Sequence, residues 1–90
     1  MKNVFILTNE ALFQDSSYFE VLGAFTSYDK ALEKLNLLFD EFVKDCENKV
    51  YSEFIDIKIS KNEYQDSCEY TVLSLDYYYN SYEISKIKLE

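Results

Sequence analysis

The chain reads as an α+β domain in the order β-β-α-β-β-β, an antiparallel sheet with one amphipathic helix packed on one face. Three observations predict it. Apolar residues recur at spacings of three and four through Ala31, Leu32, Leu35, Leu38, Phe39, Phe42, Val43 and Cys46, the period of a helix with one buried stripe. On either side of that segment the apolar period changes to two, that of a strand. Polar clusters such as Gln14-Asp15-Ser16-Ser17 separate the strand-like segments, and such clusters mark turns.

The elements follow in order. Val4-Phe5-Ile6-Leu7-Thr8 is a short run of strand formers, expected to be buried on both faces. Residues 9–17 are expected to form a long loop. Residues 18–25 form the second strand, with Phe19, Val21, Gly23 and Phe25 on one face and Tyr18, Glu20, Leu22 and Ala24 on the other. The two strands should pair as a hairpin. Thr26 or Ser27 caps the helix, and Thr26 with Asp29 makes an approximate capping box. The polar face of the helix includes Asp40 and Lys44, a favourable pair one turn apart. Asn48 is expected as its left-handed cap.

Beyond the helix, Ile55, Ile57 and Ile59 alternate with Phe54, Asp56 and Lys58, which predicts a third strand with an isoleucine core face. Residues 60–67 read as a polar turn. Residues 68–75 read as a fourth strand, with Tyr70, Val72 and Ser74 on one side and Thr71, Leu73 and Leu75 on the other. Residues 76–81 read as a turn carrying Tyr77, Tyr78 and Tyr79, and residues 82–89 as the last strand. Its parity breaks between Tyr82 and Ile84 on one face and Ile87 and Leu89 on the other. A bulge near Ser85-Lys86 would restore a common core face.

Residues 1–90 make one domain. At 48% hydrophobic content a packed core is expected and wholesale disorder is not. Nine lysines and no arginine face seventeen acids, for a net charge of −8. Phosphate backbones and anionic membrane surfaces should repel such a chain, so no direct nucleic-acid or membrane binding is expected. Basic proteins are its natural partners; the same charge also serves solubility. The first apolar run is too short for a signal peptide and no segment could span a membrane, so a cytoplasmic location is expected.

The chemistry-bearing residues are sparse. There is no histidine, the commonest general base near neutral pH. One glycine, Gly23, excludes a glycine-rich phosphate cradle. Cys46 and Cys68 form no Cys-x-x-Cys pair, so they read as reduced thiols with no metal. Asp15-Ser16-Ser17 and residues 62–66 are only fragments of a calcium loop, and solvated turns explain them. No cofactor is expected, and the chain reads as a non-enzyme.

The least random feature is where lysine is missing. Residues 62–85 hold none, yet carry Glu63, Asp66, Glu69, Asp76 and Glu83, interleaved with Tyr64, Tyr70, Tyr77, Tyr78, Tyr79 and Tyr82. A second lysine-free stretch, residues 3–29, carries Glu10, Asp15, Glu20 and Asp29. Acid with tyrosine suits a Lys/Arg-rich partner, through charge pairs and cation–π contacts. Strand tyrosines also pack across sheets, so the expected turn tyrosines weigh most. The candidate partner-binding residues are Glu63, Asp66, Glu69, Asp76, Tyr77, Tyr78, Tyr79 and Glu83.

Val4-Phe5-Ile6-Leu7-Thr8, Gly23-Ala24-Phe25-Thr26-Ser27 and Ala31 resemble a loose pattern in small uncharacterised bacterial and phage proteins. In size, charge and simplicity the chain is similar to acidic phage-encoded inhibitors, such as anti-CRISPR proteins and DNA mimics, and to immunity proteins that neutralise nuclease toxins. That resemblance implies an inhibitor of a basic, nucleic-acid-handling protein and transfers no catalytic residue. The competing expectation is an interaction domain whose sheet edge or tyrosine turn forms a homodimer, with charge serving solubility alone.

Overall fold

The computed structural model describes residues 2–13, 16–52, 54–75 and 78–89. Five strands, β1 (Lys2–Phe13), β2 (Ser16–Phe25), β3 (Lys58–Glu63), β4 (Cys68–Ser74) and β5 (Tyr78–Leu89), form one sheet in the order β2-β1-β5-β4-β3. Every neighbouring pair is antiparallel. The helix α1 (Tyr28–Glu47) lies between β2 and β3 in the chain. It therefore connects the two edges of the sheet. Twenty helical residues span about 30 Å, more than the roughly 19 Å between the outermost of five strands.

Helix α1 starts where Ser27 accepts a hydrogen bond from the Lys30 amide, so Ser27 rather than Thr26 is the cap. Its buried side is Ala31, Leu35, Phe39, Phe42 and Cys46. This stripe packs on Phe5 and Leu7 of β1, Tyr70 and Val72 of β4, and Tyr82 and Ile84 of β5. The Phe39 ring meets Tyr70 edge-on at 5.4 Å and Tyr82 at 6.3 Å, the favoured aromatic geometry. Asn48 follows the helix at φ −86°, and the left-handed residue is Lys49 at φ 59°. The left-handed position thus falls one residue later than expected.

The strands differ from the sequence expectation in four places. First, β1 and β2 are longer, and their register continues to Phe13 opposite Ser16, so residues 9–17 are not a long loop. The alternation through Asn9, Glu10, Ala11 and Leu12 was obscured because polar Asn9 points inward, where it is buried. Second, β5 has no bulge, since it pairs with β1 without interruption from Lys2–Leu89 to Leu12–Tyr79. The register shift lies instead between β1 and β2, where Leu7 faces Gly23 and Thr8 faces Val21. Leu22 is the extra residue. It sends Gly23 and Phe25 to the helix side while Phe19 and Val21 take the opposite side, because directly paired residues share a face.

Third, β3 begins at Lys58 and runs through residues 60–63, where the polar pattern predicts a turn. Phe54 turns inward instead of Ile55, being 5% exposed against 53%. Phe54 and Tyr51 pack on Phe42 at 5.1 Å. Aromatic packing under the end of α1 decides which alternate residues go inside. Fourth, β5 begins at Tyr78, so Tyr78 and Tyr79 belong to a strand and not to a turn. Among the described residues no helix is long and apolar enough to cross a membrane.

Candidate functional site

The helix covers one face of the sheet and leaves the other open. The open side follows from register, because strand neighbours that pair directly point the same way. One row crosses it as Val21, Thr8, Glu83, Glu69 and Asn62. The next row is Phe19, Glu10, Ser81, Thr71 and Ser60, and the next is Ser17, Leu12, Tyr79, Leu73 and Lys58. Thr8, Glu10, Phe19, Glu69, Tyr79 and Glu83 are among the residues that line one shallow concavity on this face.

Several of its polar groups are hydrogen-bonded. The Tyr79 hydroxyl donates to Glu10 Oε1 at 2.9 Å, and that bond holds the phenol above its ordinary range. Thr71 and Ser81 hydroxyls share a hydrogen bond of 3.0 Å, and Ser85 Oγ donates to Glu83 Oε1 at 3.1 Å. Glu69 stands directly opposite Glu83 on the neighbouring strand. Like charges so placed are destabilising. Among the described residues the ion pair found is Lys86 with Asp66, which relieves neither glutamate.

The residues singled out from the sequence scatter over several places. Glu69, Glu83 and Tyr79 come together on the open face. Glu63 ends β3 and accepts a hydrogen bond from Tyr70 on the helix side. Asp66 lies between β3 and β4 and pairs with Lys86 at 3.0 Å. Tyr78 is half-buried against the core. Asp76 and Tyr77 lie outside the described residues. Glu10, Phe19 and Val21 join the same surface, and none of them is among the residues expected there from the sequence. A usable signal existed: the lysine-free residues 3–29 supply β1 and β2, and the lysine-free residues 62–85 supply β4 and the start of β5. Sheet order sets the two stretches side by side.

Reactive groups lie elsewhere. Cys46 and Cys68 are free and buried. Burial pushes the Cys46 thiol up to about 11 and raises Cys68 as well, which keeps both as poorly nucleophilic thiols at neutral pH. Burial, followed by the bond to Glu63, raises the Tyr70 hydroxyl. Among the described residues no three carboxylates or thiols gather as a metal-binding group. The open face therefore presents carboxylates, hydroxyls and apolar side chains, with Lys58 at its β3 edge. No family model, no curated protein and no solved structure matches the chain.

Proposed function

We propose that this is a non-enzymatic binding protein whose open sheet face takes a basic protein surface of the kind that handles nucleic acid. Glu10, Glu69 and Glu83 would stand where phosphates otherwise bind, with Tyr79 and Phe19 as the apolar contacts beside them. The observation that carries the reading is the Glu69–Glu83 pair, opposed across two strands with no cation from this chain among the described residues. The repulsion costs stability in the free protein, and a cationic side chain placed between the two would reverse its sign. The net charge of −8 adds long-range attraction to such a partner.

The test compares two variants of equal charge change. Glu69→Lys with Glu83→Lys alters the open face, while Glu33→Lys with Glu47→Lys alters exposed positions on α1. An arginine-rich peptide is titrated against each at low and raised salt. The open-face variant is expected to lose at least about tenfold in affinity, or 1.4 kcal/mol, and to flatten the salt dependence. The helix variant keeps most of both. Equal losses in the two variants would reduce the effect to overall charge and sink the site.

A further inference from the structure

The sheet has two free edges, and they are built differently. Edge strand β3 carries Lys58 and Lys61, and charged residues on an edge oppose pairing with another chain. Edge strand β2 carries no lysine and no proline, and its only charged residue is Glu20. It pairs with β1 alone, leaving a row of backbone donors and acceptors along its outer side. Three strand-forming side chains stand out from it: Tyr18 at 42% exposure, Phe19 at 63% and Val21 at 59%. A long edge of this composition is a template for strand addition.

We propose that the outer edge of β2 pairs antiparallel with β2 of a second copy, about a two-fold axis through Phe19. The register follows by elimination. Only residues 16–21 form an unbroken alternation, because the bulge at Leu22 switches the faces. An axis through Glu20 would set two carboxylates opposite one another. An axis through Val21 would carry the pairing across the bulge, and one through Tyr18 would leave Val21 opposite no strand residue. The axis through Phe19 sets Phe19 against its own copy, Ser17 against Val21, and Tyr18 against Glu20. Each opposed pair shares a face, as antiparallel pairing requires.

Charge opposes the arrangement only weakly: the two Glu20 carboxylates are diagonal neighbours about 8 Å apart, each opposite Tyr18 of the other copy. The nearest carboxylate on the open face is Glu10, on β1 beside Phe19. In the paired sheet the two Glu10 residues are separated by three strand spacings, about 14 Å. That exceeds the screening length of about 8 Å at physiological salt. A second copy fits this edge better than an unrelated basic peptide, because the strand offers aromatic and aliphatic area and only one charge. The pairing shares Phe19 with the basic-partner reading but does not rest on it, and it leaves Glu69 and Glu83 uncovered.

Sedimentation of the full chain over a range of concentrations tests the pairing, and cysteine cross-linking tests its register. The wild-type protein is expected to show twice the mass of the chain, unchanged at high salt. Val21→Lys should give a monomer with an unchanged circular dichroism spectrum, and Ile59→Lys on the opposite edge should remain a dimer. Phe19→Cys should form a disulfide-linked dimer on mild oxidation, since directly opposed Cβ atoms meet the distance a disulfide needs. Val21→Cys should not, as its own copy lies four residues away along the pair. A wild-type monomer at millimolar concentration overturns the proposal, whether or not peptides bind the edge. A dimer retained by a folded Val21→Lys protein, or Val21→Cys cross-linking as readily as Phe19→Cys, overturns it equally.

Discussion

On the helix-covered face, Phe5, Leu7, Val72 and Ile84 are buried, and the buried polar residues Asn9, Ser74 and Asn80 are hydrogen-bonded, although Asn3 Oδ1 has no partner among the described residues. Asn9 donates to the Ser81 carbonyl at 2.9 Å, accepts from Tyr18 at 2.9 Å and donates also to Asn80. Ser74 bonds both the amide and the carbonyl of Ile55, at 2.8 and 2.7 Å. On the open face of the same strands, Glu69 and Glu83 oppose one another without a counter-ion from this chain among the described residues. The contrast follows from solvent. Burial makes every unmade hydrogen bond costly, whereas water tolerates an unrelieved charge pair at a small cost. One face is arranged for stability, and the other keeps a feature that stability alone would remove.

The two faces should differ most in what a substitution costs. Phe39 is 2% exposed and touches Tyr70 and Tyr82. Phe39→Ala is expected to lower unfolding stability by about 3–5 kcal/mol in urea titrations. Ile87→Thr on the open face, where the side chain is 47% exposed, should stay within about 0.5 kcal/mol. Comparable losses at the two positions would mean that the open face is part of the core.

Alkaline titration acts next, because several groups on the covered side are shifted together. Burial raises the Tyr28 and Tyr70 hydroxyls above their ordinary 10.0, and the Cys46 thiol from 9.0 to about 11. The fold thus favours their protonated forms. Their contribution is complete below the ordinary values and is lost as pH rises through the shifted ones. Urea midpoints should hold level up to about pH 9, fall as Cys46 titrates towards 11, and fall further as the tyrosines ionise. Midpoints unchanged through pH 11 would show that these groups are not protected.

The smallest effect sharpens the contrast, because its sign is unusual. Glu69→Thr removes one of two opposed carboxylates and adds a strand-forming side chain. It is expected to raise stability by about 0.2–1 kcal/mol while weakening the basic peptide. Most substitutions lower stability, so a gain paired with lost binding would mark Glu69 as a binding residue. A loss of stability would mean that the carboxylate makes a contact on which the sheet depends.

Local pattern in the sequence was enough for the α+β class, the helix and its buried stripe, and the alternation of β4, though not for which side of β4 faces inward. Helical spacing from Ala31 to Cys46 has one solution, and the alternation of Tyr70 and Val72 with Thr71 and Leu73 fits only a strand. Strand ends were less legible. Asn9 and Asn80 face inward because Asn9 donates a hydrogen bond to Asn80, and such a partner, seventy-one positions away, is invisible to periodicity. The bulge at Leu22 sent Phe19 and Val21 to the open face, since one extra residue inverts every later side chain on a strand. The candidate site depended on the same long-range register. Acid-rich, lysine-free composition was written in the chain, but only the sheet order β2-β1-β5-β4-β3 gathers Glu10, Glu69 and Glu83 while drawing Glu63 and Asp66 into bonds of their own. Composition reports what a surface can offer; which residues share that surface is decided by pairing between distant strands, where local propensity carries no information.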